Sequence, residues 1–234
     1  TAISNLFLVS SVNCSLEVAN LFFAQKQKII RAIQRLPYDY IFLDLGAGTS
    51  FNTVDFFLAS NEGLFVFTPE PTSIENAARF IRTVYLRKVK QVLKQRAFLE
   101  IVREIIVNMK DRNANVKSSD IIEALTEKDP AKGKLLLERL GAFRFKLILN
   151  QFEKKIDENL GEKIEKVCNR HFHSDFQFLG KVSYDERVHD SILSSRTYVT
   201  KYPYTVTALN FQNIADKLIG KDQPVSDRYQ RYHE

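Results

Sequence analysis

The sequence contains only two cysteines, Cys14 and Cys168. They are too few for a disulfide framework, which excludes a small secreted scaffold and favours reduced thiols in the cytoplasm. No apolar run approaches the ~18 residues of a membrane-spanning helix, and the N-terminus lacks the basic start of a signal peptide. It also lacks an initiator methionine, so we expect a chain that was processed or cut from a longer one. Internal repeats and low-complexity stretches are missing too, which excludes a collagen-like or disordered chain.

The composition is that of an ordinary folded protein. The 234 residues are 44% hydrophobic and 26% charged. A chain of this length buries enough surface to form a stable core without disulfides or structural metal ions. The net charge is +6, and residues 79–110 account for it, because their nine basic and two acidic side chains give +7. Apolar residues recur in this segment every three or four positions, which predicts one long helix with a buried face.

The basic side chains of segment 79–110 allow two interpretations. They can form the solvated face of a packed helix, which is the usual outcome for a run of charges. They can instead bind an anionic partner, such as nucleic acid, lipid headgroups or an acidic protein surface. The interruption by Glu100 and Glu104, together with the apolar face, favours core packing or a protein partner over DNA.

Short apolar runs alternate with helical patterns along the chain. The predicted strands are residues 5–9, 40–43, 63–67, 146–149 and 176–179. The predicted helices are residues 16–36, 52–59, 74–109, 119–140, 161–169 and 208–218. Continuous apolar strands separated by helices are typical of a parallel sheet covered on both faces, so we predict an α/β fold. The polar tail at 221–234 is predicted to be frayed.

The segment with the clearest chemical meaning follows the second predicted strand and reads Asp44-Leu45-Gly46-Ala47-Gly48-Thr49-Ser50. A carboxylate at the carboxyl end of a parallel strand points into the crevice where open α/β sheets bind ligands. Glycines let the backbone approach a ligand and turn N–H groups towards an anion. Two chemistries fit: a P-loop NTPase in which Asp44 holds Mg²⁺ through water, and a methyltransferase in which Glu70 binds ribose hydroxyls. A tight turn without function is the third interpretation.

The order and spacing of three segments favour the first chemistry. They are Asp44–Ser50, Asp55–Ser60 and Val66–Ala77. Together they resemble the MinD/ParA ATPases, the deviant-Walker branch of the P-loop NTPases, and in particular the MinD-like members that include flagellar number regulators. The resemblance implies a three-layer, Rossmann-like, mainly parallel sheet, with ATP and Mg²⁺ as ligands. It also implies a catalytic and metal-binding role for Asp44, nucleotide contacts for Gly46, and a Gly48 amide that faces the γ-phosphate.

The resemblance continues downstream of these segments. Leu147-Ile148-Leu149-Asn150-Gln151 is similar to the strand whose asparagine recognises adenine, which implies base contacts for Asn150 and Gln151. Segment 178–188 resembles the loop that lines the base pocket, which implies that the base is walled by Val182, Ser183, Tyr184 and Asp185. The match covers nearly the whole chain except residues 86–141. We therefore predict one domain over 1–220, with a helical insertion at 86–141.

Two departures from the family pattern bear on activity. No Gly-x-x-x-x-Gly-Lys-Ser/Thr occurs, and the family places its signature lysine N-terminal to the first residue of this chain. Without that loop a triphosphate loses its main anion cradle, so we expect this chain to hydrolyse ATP poorly or not at all. In addition, Val182-Ser183 stands where the family usually has Ile-Pro.

The resemblance implies a nucleotide-dependent regulator of cellular positioning, of the cell-division, flagellar or partitioning type. In the intact protein it implies ATP binding, slow hydrolysis, a nucleotide-dependent homodimer and a protein partner. The alternative is a non-enzymatic scaffold of the same fold that has lost the phosphate loop and, with it, catalysis.

Overall fold

The computed structural model describes residues 3–10, 21–46, 48–60, 62–110 and 118–220. Their contacts divide the chain into two compact units, Thr1–Ala59 and Ser60–Glu234, which we treat separately. The predicted tail at 221–234 and the first residues of the predicted helix 16–36 lie outside the described residues.

The described residues of the first unit form two helices, α1 (Phe23–Ile33) and α2 (Phe51–Phe57). The Ser50 hydroxyl accepts a hydrogen bond from the Thr53 amide at 3.1 Å, which caps α2 directly after the glycine segment. A largely buried ion pair between Lys26 and Asp55 joins the two helices. Both helices predicted in this unit are therefore confirmed, with α1 shorter than its pattern.

The two strands predicted in the first unit are wrong. Residues 5–9 and 40–43 are in no strand, and their apolar side chains face solvent: Val9 is 91% exposed and Phe42 is 73% exposed. The rings of Phe7 and Tyr38 do contact each other, with 5.1 Å between their centroids. An apolar run becomes a strand only where a neighbouring strand takes up its N–H and C=O groups. Within the described part of this unit, neither run has such a neighbour.

The second unit is built from strands and helices in alternation. Its strands are β1 (Glu62–Phe67), β2 (Arg144–Phe152) and β3 (Asp175–Ser183). Its helices are α3 (Pro71–Leu93), α4 (Leu99–Lys110), α5 (Ser118–Lys128), α6 (Pro130–Gly141), α7 (Leu160–His171), α8 (Arg187–Leu193), α9 (Tyr198–Lys201) and α10 (Val206–Leu218). All three strands predicted in this unit are confirmed.

The three strands form one small parallel sheet in the order β1–β2–β3. Stacked phenylalanine rings line one face of it, and those of Phe145 and Phe176 are 4.3 Å apart between centroids. Helix α3 covers this face through Phe80, whose ring meets that of Phe65. On the other face, Ile214 of α10 packs with Ile148, Leu179 and Val182. The predicted α/β class with a parallel sheet is therefore confirmed.

Between β1 and β2 the described residues form four helices, α3 to α6, where the sequence predicts two. The prediction of one helix over 74–109 is wrong, because the chain turns at residues 94–98 and buries Phe98 completely. The prediction of one helix over 119–140 is wrong as well. There the Asp129 carboxylate caps α6 by accepting from the Lys132 amide, and Pro130 has no N–H with which to continue α5.

The buried face predicted for segment 79–110 is confirmed. Its apolar residues pack against α5 and α6 in one core, whose members include Val89, Val92, Leu93, Val102, Ile105, Leu125, Leu136 and Leu140. The basic side chains lie mostly elsewhere on these helices, and Arg82, Lys90, Lys94 and Arg96 are exposed. Arg87 and Lys88 are half-buried. The Lys88 ammonium lies 5.7 Å from the ring centroid of Phe143, and burial lowers its pKa. Across the described ranges, no helix is both long and apolar enough to cross a membrane.

Candidate functional site

The carboxyl ends of β2 and β3 lie side by side, because the strands are parallel and adjacent. Leu149 pairs with Lys181, and Phe152 pairs with Ser183. This register places Asn150 and Gln151 of β2 beside the end of β3. The structure therefore brings together the six residues predicted to contact the base, which are Asn150, Gln151, Val182, Ser183, Tyr184 and Asp185. Such an edge is where open α/β sheets bind ligands.

A bulge interrupts the pairing of β2 with β3 at this edge. Between the pairs Leu149–Lys181 and Phe152–Ser183, β2 contains two residues and β3 contains one. Gln151 accommodates the extra residue with a φ of 54°, in the left-handed region that a non-glycine residue seldom adopts. A bulge of this kind disrupts the ladder locally and redirects the side chains beside it. Strain of this type is concentrated at functional sites.

The side chain of Asn150 has unused hydrogen-bonding capacity. It is half-buried in β2 and makes no side-chain hydrogen bond to any residue that the structure describes. An amide group offers two donors and one acceptor with two lone pairs, which can pair in a bidentate manner with an adenine edge. Asn150 can therefore serve as the polar contact that fixes the orientation of a planar base.

The base loop, residues 182–185, is held in place from several sides. Val182 is buried in the sheet core, and the Tyr184 amide donates to the Phe152 carbonyl at 2.9 Å. The Ser183 amide and hydroxyl both donate to Asn210 Oδ1, at 3.1 and 3.0 Å. The ring of Tyr184, by contrast, is 55% exposed. The loop thus presents an accessible aromatic ring on a fixed backbone.

The Asp185 carboxylate is occupied by neighbouring groups of the protein. It accepts from the amide, Nε and Nη2 of Arg187 at 2.7–2.9 Å, and from the phenol of Tyr198 at 2.6 Å. These hydrogen bonds, with the Arg187 guanidinium as the largest cause, hold the pKa of Asp185 far below its usual range. Asp185 therefore shapes the loop, and its oxygens have little capacity left for a ligand.

A second carboxylate, that of Asp190, is also bound by neighbouring side chains. Asp190 of α8 accepts from Lys201 at 2.7 Å and from the phenol of Tyr202. Lys201, followed by Tyr202, lowers the pKa of Asp190, and the same contacts raise the pKa values of Lys201 and Tyr202. The contacts of Asp190 tie α8 to α9, and those of Asp185 tie the base loop to both helices. The predicted set of site residues did not include Arg187, Tyr198, Thr207 or Asn210, whose side chains hydrogen-bond to the base loop. Of these four, Arg187 lies inside segment 178–188.

The remaining predicted site residues belong to the first unit. Asp44 is exposed on an irregular segment, as are Gly46 and Gly48. Gly48 has a φ of 109°, and a Cβ placed on either glycine would meet nothing within 4 Å. Gly48 therefore uses the backbone freedom that the motif suggests, but both glycines lie in open space and not against a packed cradle.

These residues fit a bound Mg²⁺ ion poorly. Mg²⁺ prefers near-octahedral oxygen coordination, whereas Asp44 is a single exposed carboxylate. In the described part of the chain, no three His, Cys, Asp or Glu side chains are grouped so that they could hold a metal ion. Burial raises the pKa of the Cys168 thiol to about 11, so this side chain is no nucleophile at neutral pH.

Glu70, the acid of the methyltransferase interpretation, follows β1 at the same edge of the sheet. It is exposed, and a hydrogen bond from Thr68 lowers the pKa of its carboxyl group. Its carboxylate is therefore ionised at neutral pH and accessible to solvent.

Comparison with known proteins gives no family assignment, since no family model and no curated protein matches this chain.

Proposed function

We propose that this chain is an adenine-nucleotide-binding regulator of the MinD/ParA type, in which the carboxyl edge of β2 and β3 receives the base. The observation that carries the proposal is the half-buried Asn150 amide, which has no side-chain partner among the described residues and lies beside the base loop. A site built to hydrogen-bond a polar edge discriminates against a ligand that leaves this amide unpaired. Adenine satisfies both the donor and the acceptor of the amide.

In this proposal the other residues of the edge have separate tasks. The bulge at Gln151 sets the direction of the β2 backbone next to Asn150, and Val182 supplies an apolar wall. The exposed ring of Tyr184 is available to cover one face of the base, where an aromatic contact adds to the hydrogen bonds. Asp185 keeps the loop in shape through Arg187 and Tyr198.

For this chain, the proposal is nucleotide binding and not turnover. A Walker lysine motif is missing from the sequence, and among the described residues Asp44 belongs to no group of three His, Cys, Asp or Glu side chains that could hold a metal ion. Nucleotide-dependent pairing of two copies and a protein partner remain part of the proposal, with the exposed basic side chains of α3 suited to an acidic protein surface.

The second candidate is a scaffold of the same fold that binds no nucleotide. The observation that favours it is the open environment of Asp44, Gly46 and Gly48, which supplies no packed phosphate cradle. The two candidates differ in one measurable property, which is the affinity of the chain for ATP.

Isothermal titration calorimetry of the full chain with ATP and with GTP tests the proposal. We expect ATP to bind more tightly than GTP. Asn150→Ala should weaken ATP binding by about 5- to 150-fold, the equivalent of one buried polar contact worth ~1–3 kcal/mol, with a smaller effect on GTP. Asn108→Ala, which removes an exposed asparagine from α4, is the matched control and should leave both affinities unchanged. If wild-type protein binds neither nucleotide, the scaffold is the correct candidate.

A further inference from the structure

Helix α10 lies along β3 and contacts it at three successive levels. Near the C-terminal end of the helix, the Lys217 ammonium donates to the Leu179 carbonyl at 2.7 Å. In the middle, Ile214 packs against Gly180. Near its N-terminal end, Asn210 and Thr207 reach Ser183, the last residue of β3. The helix therefore supports the strand along the part that leads into the base loop.

Gly180 allows the helix to approach the strand closely. Its φ is 153°, and a Cβ at this position would lie 3.3 Å from Cγ1 of Ile214. A larger residue would both strain the backbone and push against the helix. The close approach brings the short side chains of Thr207 and Asn210 within hydrogen-bonding distance of the strand.

Three polar groups of Ser183 are bound by α10. Asn210 Oδ1 accepts from both the Ser183 amide and its hydroxyl, and the Thr207 hydroxyl donates to the Ser183 carbonyl at 3.1 Å. Thr207 is buried, so the last of these bonds is shielded from water. The position of Ser183, and of the loop that follows it, is consequently set by side chains 24 and 27 residues further along the chain.

We infer that Asn210 is a positioning residue for base selectivity, a role that rests on the proposed function. By holding Ser183, Asn210 sets the distance between the base loop and Asn150, and so the width of the space that a base can enter. Its side chain touches the loop and not the ligand. Loss of Asn210 should therefore relax the discrimination between bases rather than abolish binding.

The test compares four variants of the full chain by calorimetry with ATP and GTP. Asn210→Ala removes the shared acceptor and should reduce the ratio of ATP to GTP affinity about tenfold, as expected for the loss of two ordinary hydrogen bonds. Asn210→Asp keeps an acceptor at the same place and should restore the ratio. Thr207→Val removes only the hydroxyl and should shift the ratio less, in the same direction. Asn213→Ala, on the same helix but without a hydrogen bond to the base loop, should leave the ratio unchanged.

Amide hydrogen exchange provides a readout that needs no nucleotide. Asn210→Ala should accelerate exchange at Ser183 and Tyr184 relative to the strand amides of β2, and Asn210→Asp should reverse the acceleration. Wild-type protein that binds neither nucleotide would overturn the proposed function, and the selectivity role with it. Wild-type selectivity and slow exchange retained in Asn210→Ala would overturn this inference alone.

Discussion

The run Tyr40–Leu43 in the first unit and strand β2 in the second are both short, aromatic-rich apolar segments, and a polar residue of the candidate site follows each apolar run. In β2, Phe145 is 1% exposed and lies between two parallel neighbours. In the first run, Phe42 is 73% exposed and the segment is in no strand. The same contrast extends to the site residues, since Asp44 is exposed and Asn150 is half-buried.

This difference shows that an apolar run alone does not make a strand. The central position of β2 gives each of its faces a packed layer and each of its edges a hydrogen-bonded neighbour. Burial of the side chains then stabilises the folded state by roughly 25 cal/mol for each Å² of apolar surface removed from water. A residue placed at the end of such a strand inherits a fixed position, which is what a binding site needs.

The largest expected difference in stability is between truncation of Phe145 in β2 and truncation of Phe42 in the first run. Phe145→Ala should lower the free energy of unfolding by about 3–5 kcal/mol, because it opens a cavity among stacked rings. Phe42→Ala should change it by less than about 0.5 kcal/mol, as expected for an exposed side chain. Urea unfolding followed by far-UV circular dichroism measures both. Equal losses in the two variants would show that the first run is buried in solution and would remove the contrast.

A second, smaller effect should come from the close packing of α7 on the sheet. A Cβ on Gly161 would overlap the ring of Phe178, so Gly161→Ala must displace either the ring or the helix. We expect a loss of about 1–3 kcal/mol, in the range of an overpacked core. Gly141→Ala is the matched control, since its Cβ would meet nothing within 4 Å, and it should cost nothing. A Gly161→Ala variant as stable as wild-type protein would show that the second unit packs no more tightly there than at Gly141.

Much of the second unit could be predicted from the sequence, because its strands are continuous apolar runs bounded by turn residues. The helix breaks could be predicted only in part. Pro130 marks one of them in the sequence, whereas the turn at 94–98 depends on the burial of Phe98 against helices far away in the chain. Local periodicity cannot distinguish one long helix from two helices that pack on the same core.

The candidate site could likewise be predicted only as a set of segments. The predicted base contacts were Asn150, Gln151 and residues 182–185, and the parallel register places these segments side by side. The left-handed Gln151 and the side chains of Tyr198 and Asn210 were not predictable, because a bulge and a contact across 27 residues leave no periodic signal. A motif in the sequence predicts candidate ligand contacts more readily than it predicts the side chains that hold those residues in position.

The smallest expected effect concerns Asp185 and Asp44, two carboxylates that each follow an apolar run. Asp185→Asn loses charge-assisted hydrogen bonds to Arg187 and should lower the free energy of unfolding by about 1 kcal/mol at pH 7. Asp44→Asn should change it by less than about 0.5 kcal/mol, because Asp44 is exposed. Urea midpoints of both variants and of wild-type protein at pH 7, 5 and 3 provide the measurement.

The pH dependence of the Asp185 effect has a definite sign. Because Arg187 lowers the pKa of Asp185 in the folded state, the carboxylate stabilises the fold above its ordinary pKa of about 4. This contribution is lost as the pH falls through the lower folded-state pKa. The difference between wild-type protein and Asp185→Asn should therefore be complete at pH 7, nearly complete at pH 5 and smaller at pH 3. Arg187→Gln should remove the same contribution to the free energy of unfolding. The double variant should therefore be little less stable than either single variant. A difference that grows on acidification would mean that Asp185 is not held by Arg187 in solution, and that the base loop is as loosely placed as the segment around Asp44.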